Sequence, residues 1–457
     1  MNSPRRSVVR RRRAGRPSDR RVIVVVVGVQ LAISLGFFAV MAHLVSHLRH
    51  DLGMLAGTIT LVLGARIAVQ YALFLPVGAV TDLIGATRAG VLACALRAAG
   101  FVLLGTADEF AGLLGAAVLL GVGGALFHPT AQSLLAGLAP ARRSRGFAAY
   151  VIAGQVAAVA GPPAGLLLLT AGFWVLAAAA AAAWALAAVL FTLLGEERRT
   201  APGADPRHRT ARWAGARLGT RMVAGGVAEA LRDRRFVRFA VVAAPSTLLA
   251  DQIVTVVPLK DVGAGATTLF FSVVAMVATA VQPWCAAGGR GERPWVLRSG
   301  LLCAAAGYLV LLATPSEGGG GQMAGIVAAA VLNGLANGLM QPALFQTVTR
   351  CAPAHRFGAY LGVLSFLSGA CAFLGGLAVG RLFDAGGWGP SVALAALGLV
   401  ALLSAGACGL LDFRRAGSGS AGSAGSSGSS EPVRVPVAGS VSAGRNARSS
   451  GNDQVNA

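Results

Sequence analysis

Apolar residues along this chain gather into twelve stretches separated by short polar links. The stretches fall at 22–46, 54–80, 89–106, 111–138, 146–170 and 172–194, then at 236–259, 266–287, 296–314, 322–347, 358–383 and 388–412. Most approach or exceed the ~20 apolar residues that a helix needs to cross a hydrocarbon core of about 30 Å. They lack the alternate-residue pattern of barrel strands, and a helix satisfies its backbone hydrogen bonds within one segment. The expectation is an all-α membrane protein with twelve transmembrane helices.

The links alternate in charge. Arg142, Arg143 and Arg145 make one basic link, 196–235 another, and 290–298 and 350–356 two more. Between them, Asp108–Glu109, Ala171–Phe173, Glu317–Gln322 and Asp384–Pro390 carry almost no positive charge. Arginine that returns at every second crossing marks the cytoplasmic side. An even number of spans places both termini there. The expected organisation is a basic cytoplasmic tail over 1–21, a six-helix bundle over 22–194, a cytoplasmic linker over 195–235, a second six-helix bundle over 236–412 and a disordered Gly/Ser-rich cytoplasmic tail over 413–457.

Composition agrees with that pattern. Hydrophobic residues make up 55% of the chain and charged residues only 12%, against about 25% charged in soluble domains. Mean hydropathy is +0.68. The net charge of +21 is nearly all arginine, with Lys260 the single lysine. Nine arginines precede Val22, in a tail with Ser and Pro and no aromatic residue. That arrangement suits attraction to anionic lipid and lacks the interleaved aromatics of a nucleic-acid surface. The run from Val22 exceeds the 7–15 apolar residues of a signal peptide, so it reads as the first span. Cys94, Cys285, Cys303, Cys351, Cys371 and Cys408 lie in or near spans without metal-ligand spacing and read as apolar filler.

The two halves echo one another. Gly121, Pro129 and the run Ala139–Ala141 recur at one fixed offset as Gly334, Pro342 and Ala352–Ala354, and Tyr150 and Tyr360 follow. Spans 4–5 therefore match spans 10–11, as in transporters built from duplicated units that rock about a midplane site.

Two motifs carry a family resemblance. The link after the second span contains Gly78, Asp82, Gly85 and Arg88. It resembles the loop motif of the major facilitator superfamily, although Leu83 stands where that family usually has a basic residue. The resemblance implies a gating role for these four residues on the cytoplasmic side. Span 5 contains Gly154 and the run Gly161, Pro162, Pro163, Ala164, Gly165. Proline kinks a spanning helix and glycines admit a close neighbour. This run resembles the fifth-helix motif of the antiporter branches, which implies export. Span 4 departs from the drug–proton pattern: Gly121 and Gly123 are present, but the expected arginine position holds Ala117. The resemblance as a whole, to the twelve-helix drug–proton antiporters of the bacterial multidrug-resistance type, implies two pseudo-symmetric six-helix bundles working by alternating access in the bacterial plasma (inner) membrane.

Four ionisable residues fall at membrane depth: Arg66, Arg97, His128 and Asp251. Each is costly against lipid and should face protein or a wet cavity. Asp251, the only acid, is a candidate for the coupling proton or a cationic substrate; a helix-end carboxylate near Lys260 and Asp261 is the plainer reading. Arg66, near the midplane, either attracts an anionic substrate group, replaces the span-4 arginine or forms a structural pair. Arg97 lies nearer the cytoplasm and reads as a snorkelling, structural arginine. His128 reads as a packing histidine or a titrating group bordering the cavity. Gln30, Gln252, Asn333, Asn337 and Gln341 place amides on the expected pathway, the last three at i, i+4 and i+8 on one helix face, where such a stripe either binds substrate and water or bonds neighbouring helices.

The functional expectation is a secondary transporter, not an enzyme, that exports a hydrophobic or weakly polar small molecule in exchange for protons. It should contact membrane lipid, act as a monomer, need no cofactor or metal and bind no nucleic acid. The alternatives are a proton-coupled importer of a small metabolite and a non-transporting sensor on the same scaffold. A lipid-linked transferase would want acidic pairs on a long outer loop, and only Asp108 and Glu109 are offered. No nucleotide-binding loop with Gly-Lys-Ser/Thr occurs.

Overall fold

In the computed structural model, the backbone is described for residues 19–84, 86–136, 140–199, 225–286, 290, 293–315, 320–352 and 357–410. Residues 1–18 of the expected N-terminal tail, the expected tail over 413–457 and most of the expected linker over 195–235 lie outside those residues.

The first half holds α1 (Asp19–Ser46), α2 (Ala56–Ile84), α3 (Ala86–Thr106), α4 (Phe110–Ala136), α5 (Pro140–Leu169) and α6 (Phe173–Arg199). The second holds α7 (Arg234–Ala243), α8 (Pro245–Leu259), α9 (Ala264–Ala286), α10 (Pro294–Ala313), α11 (Gly320–Cys351), α12 (Phe357–Asp384) and α13 (Gly389–Leu410). Helices α7 and α8 form one span, so the described residues contain twelve helices long and apolar enough to cross a membrane. Pro245 explains the break between them: it has no N–H to donate to the Val241 carbonyl of the preceding turn; Ser246 Oγ donates separately to the Ala243 carbonyl at 2.6 Å. Asp233 starts α7 by accepting from the amides of Arg235 and Phe236.

The end that carries Asp19 and Leu410 is called proximal here and the opposite end distal. Helix α2 corrects one expectation. It continues to Ile84, so Gly78 and Asp82 lie in a helix, not a loop, and Gly85 alone separates it from α3. Their side chains and Gly85 itself fall outside the described residues; Arg88 is exposed on α3.

Within the first half α1 packs on α5, and α3 packs on both α4 and α6. Within the second α11 packs on α9 and α10, and α10 on α13. Small residues set these distances, as expected where lipid gives helices no hydrophobic drive to associate. A Cβ at Gly36 would meet the Ala180 Cα at 3.0 Å. The repeat seen in the sequence has a structural counterpart. A Cβ at Gly121 of α4 would meet the Arg66 carbonyl at 2.7 Å and the Val69 Cβ at 3.0 Å of α2. A Cβ at Gly334 of α11 would meet the Val274 carbonyl at 2.9 Å and the Val277 Cβ at 2.7 Å of α9. Equivalent glycines thus seat on the same pair of positions, one turn apart, in each half.

The halves meet along α2–α12 and α5–α9. At the distal end the Asp384 carboxylate, closing α12, accepts from the Ala56 and Gly57 amides that open α2, both at 2.7 Å. His50 Nε2 and Asp261 Oδ1 approach to 3.4 Å near the same end. Deeper, Gln155 Nε2 donates to Gln282 Oε1 at 2.9 Å, and Thr279 donates to Gln155 at 3.0 Å.

Candidate functional site

Two cavities occupy the middle of the helical array. The distal one, about 290 Å³, lies between the halves and is walled by α1, α2, α8 and α12. The proximal one, about 330 Å³, is walled by residues of α1 to α6 alone. Phe37, Phe38, Arg66 and Gln70 line both, so they form the partition between them.

Asp251 and Gln252, on the first turns after the Pro245 break, face the distal cavity together with Arg66 and Tyr71. Asp251 is partly accessible and makes no hydrogen bond or ion pair with the described residues, although it and Arg66 lie close enough to feel each other's charge. Gln252 is buried, and its Oε1 has no partner. A carboxylate held against a guanidinium across an open cavity, without direct contact, remains free to exchange a proton or engage a charged ligand.

Arg66 donates one long bond, to Gln70 Oε1 at 3.5 Å. Arg97 departs from the expected snorkelling. Its residue is only 6% exposed, and its guanidinium lies 5.4 Å from the Phe37 ring centre and 4.9 Å from that of Trp184. Arg66 sits 5.6 Å from the same Phe37 ring. Helix α4 makes this possible. A Cβ at Gly123 would meet Arg97 Cγ at 2.6 Å; one at Gly124 would meet Gln70 Oε1 at 2.6 Å and collide with Arg97 Nη2. The glycines of the fourth span therefore admit an arginine from the third. Ring faces attract a desolvated cation by about 2 kcal/mol, which offsets part of the burial.

The antiporter-like run of α5 faces α1. A Cβ at Gly161 would meet Phe38 Cβ at 2.6 Å, and one at Gly165 would meet the Ala39 carbonyl at 2.6 Å. Pro162 and Pro163 cannot complete the helix ladder, and nearby carbonyls gain side-chain donors. His43 Nε2 donates to the Pro162 carbonyl at 3.1 Å. Ser272 of α9 donates to Val159, the carbonyl that Pro163 leaves free, at 3.4 Å. Gly154 lines the proximal cavity against Gln30.

The amide stripe divides. Gln30 lines the proximal cavity and donates to Ser34 at 2.9 Å. Asn333 is buried, donates to the Ala329 carbonyl at 2.9 Å and packs over Gly307 of α10. It serves a helix interface. Asn337 is half-buried, Gln341 is exposed, and none of the three lines either cavity. A four-residue step turns a helix about 400°, so two steps carry the stripe ~80° round the axis and off a single face. His128 lies within α4, but its side chain is outside the described residues.

Sequence reasoning missed Phe37 and Trp184, which line the cavities, and His43, which bonds across the α1–α5 seam. The depth rule that singled out His128 applies equally to His43, in the first span. The two aromatic residues carry no sequence signal that separates them from ordinary packing. Among the described residues no cluster of metal-ligating side chains occurs.

Comparison with known proteins places this geometry. The family model described as Major Facilitator Superfamily matches residues 26–376. An uncharacterized MFS-type transporter of Mycobacterium tuberculosis is 26% identical over 373 residues, covering 78% of this chain and 84% of that protein. Multidrug resistance protein MdtH of Shigella dysenteriae serotype 1 is 30% identical over 229 residues, covering 50% of this chain and 53% of MdtH, so the match spans about half of that relative. Among solved structures, a POT family transporter in complex with 5-aminolevulinic acid has a TM-score of 0.67 at 15% identity, covering 84% of this chain and 94% of that one. A peptide transporter POT mutant in complex with alafosfalin gives 0.64 at 20% identity, covering 85% and 95%. At such identity these two structures speak to the fold alone.

Proposed function

The chain belongs to the Major Facilitator Superfamily, and from that premise we propose that it exports a small molecule with a mainly apolar body across a bacterial inner membrane, in exchange for protons. Transport itself follows from the family: the protein is a multi-pass membrane transporter and not an enzyme. Direction, coupling ion and substrate are the proposal, together with cytoplasmic termini, a monomeric state and lipid contact.

One observation carries the reading: Asp251 faces Arg66 across a cavity where the two halves meet. Proton binding to Asp251 removes the attraction that links α8 to α2, and rocking of the halves then carries the site from one end to the other. The α2–α12 contact, where Asp384 accepts from the Ala56 and Gly57 amides, is read here as the distal gate. With arginine-rich links on the cytoplasmic side, a closed distal end would correspond, in this reading, to the inward-facing state that loads cargo for export. The α1–α5 seam at Gly161, Pro162 and Gly165 supports the same direction by likeness to antiporters. Gly78, Asp82, Gly85 and Arg88 are assigned to the proximal gate.

Everted membrane vesicles test the proposal, with a panel of fluorescent amphiphiles of either charge. Energised everted vesicles should accumulate at least one member, and Asp251→Asn should lose gradient-driven uptake while keeping counterflow. Uptake confined to right-side-out vesicles would reverse the direction. Unchanged pH-driven uptake in Asp251→Asn would remove the coupling role.

A further inference from the structure

The proximal cavity has a charge that the exchange of a purely apolar cargo does not use. Arg66 and Arg97 both line it, and among the described residues no acidic one does. Among the described residues Arg97 makes no hydrogen bond or ion pair; the rings of Phe37 and Trp184 are its neighbours. Its Nε and that of Arg66 are buried without partners. A guanidinium presents five donors in a planar fork and is matched by an oxyanion. Two such groups beside one ring repel each other and any cationic ligand, and an anion between them relieves both effects.

We propose that this cavity holds the acidic head of the transported molecule, an oxyanion of the carboxylate or phosphate-ester class, between Arg97 and Arg66. The body of the ligand lies against Phe127 and Trp184, which give the cavity its apolar wall. Gln30 Oε1 and the Tyr150 hydroxyl, both buried and unpartnered, supply polar contacts for further substituents. The cargo is thus an amphiphilic acid. This rests on the transport reading above and narrows its substrate class. Asp251, in the neighbouring cavity, shares Arg66 with that ligand, so an anion and a charged Asp251 compete for one guanidinium.

The full-length protein in nanodiscs should be titrated calorimetrically with 1-naphthoate, 1-naphthyl phosphate and the uncharged isostere 1-naphthamide, with empty nanodiscs as background. At least one of the two acids should bind about tenfold or more tighter than the amide, the usual margin of a charge-assisted fork. The acid that binds identifies the head group. Arg97→Gln should lower its affinity about tenfold and leave the amide within about twofold, while Arg97→Lys retains part of the preference. The wild-type comparison decides the matter even where the variants fail to fold. Lack of preference for either acid over the amide, with or without binding, overturns the proposal, as does an Arg97→Gln protein that folds and keeps its affinity for the acid. No gradient is applied, so the outcome is independent of direction and coupling, which the vesicle assay judges separately.

Discussion

Asp384 offers the most direct test of how the halves are held. Its carboxylate accepts the Ala56 and Gly57 amides at 2.7 Å each, joining the end of α12 to the start of α2. These are two of the donors that a helix leaves free at its N-terminus, and the anion also meets the positive end of the helix dipole. A Cβ at Gly57 would lie 2.7 Å from Asp384 Oδ2, so glycine is needed for this approach. Buried, two charge-assisted bonds would contribute several kcal/mol. Asp384 is exposed, and screening brings the expected loss for Asp384→Asn to about 1 kcal/mol, and for Asp384→Ala to about 1–2 kcal/mol. At the distal end the smaller figure corresponds to a roughly fivefold rise in the open population. Hydrogen exchange read by mass spectrometry on a peptide covering 52–60 measures that population, because the two amides exchange when the contact opens. Exchange should rise about fivefold in Asp384→Asn and further in Asp384→Ala, with a peptide from the middle of α3 unchanged. Equal exchange in wild type and both variants would refute the closure of the distal end by this contact.

Other substitutions probe the packing around the cavities. Gly124→Val drives a side chain into Arg97 and Gln70 and should lower stability by about 1–3 kcal/mol or prevent folding, seen as a reduced Tm in detergent. His43→Ala removes the bond to the Pro162 carbonyl and leaves a void beside Gly165; a loss of about 2–3 kcal/mol in the same melt is expected, and a change within experimental error would deny His43 its part in the α1–α5 seam. Gln155→Leu breaks the contacts to Gln282 and Thr279 and should shift spin-label distances between α5 and α9 toward separation, whereas an unchanged distribution would show that the α5–α9 seam holds without them.

Helix positions were legible from hydropathy because a bilayer imposes one length and one polarity on every span. The departures have local causes. Helix α5 begins at Pro140 and not near 146, and α6 reaches Arg199 and not 194; in both, arginine or glutamate continues a helix beyond the hydrocarbon, where hydropathy falls but the backbone ladder persists. The seventh span reads as continuous in composition, while Pro245 divides its backbone. The site was legible where a charge stands at membrane depth, as Arg66 and Asp251 do, and in part through the amides Gln30 and Gln252. Position along a single helix fixed the depth of Arg97 but not its surroundings. Those depend on Gly123 and Gly124 of another helix, an opening that becomes visible only once α3 and α4 are packed. Asn333 shows the same limit: its polarity left a pathway role and a helix–helix role open, and the neighbouring Gly307 places it at a helix interface.

The duplicated scaffold clarifies where chemistry has been added. Gly121 and Gly334 seat their helices on equivalent carbonyls, yet the carbonyl below Gly121 belongs to Arg66 and the one below Gly334 belongs to Val274. The backbone contact is therefore common to both halves and the side chain is not. Arginine in the first half faces the cavities, whereas the corresponding position of the second half is apolar, and that half contributes Asp251 from the span broken by Pro245. Opposite charges consequently sit on opposite halves, at the cavity where those halves meet. Any event that neutralises one of them, a proton on Asp251 or an anion on Arg66, weakens the attraction between α2 and α8 without touching the packing within either bundle. Under the proposed exchange, coupling of cargo to protons requires no special hinge in this chain. It requires only that the two neutralising events act on the same guanidinium, and Arg66, lining both cavities, stands where both can reach it.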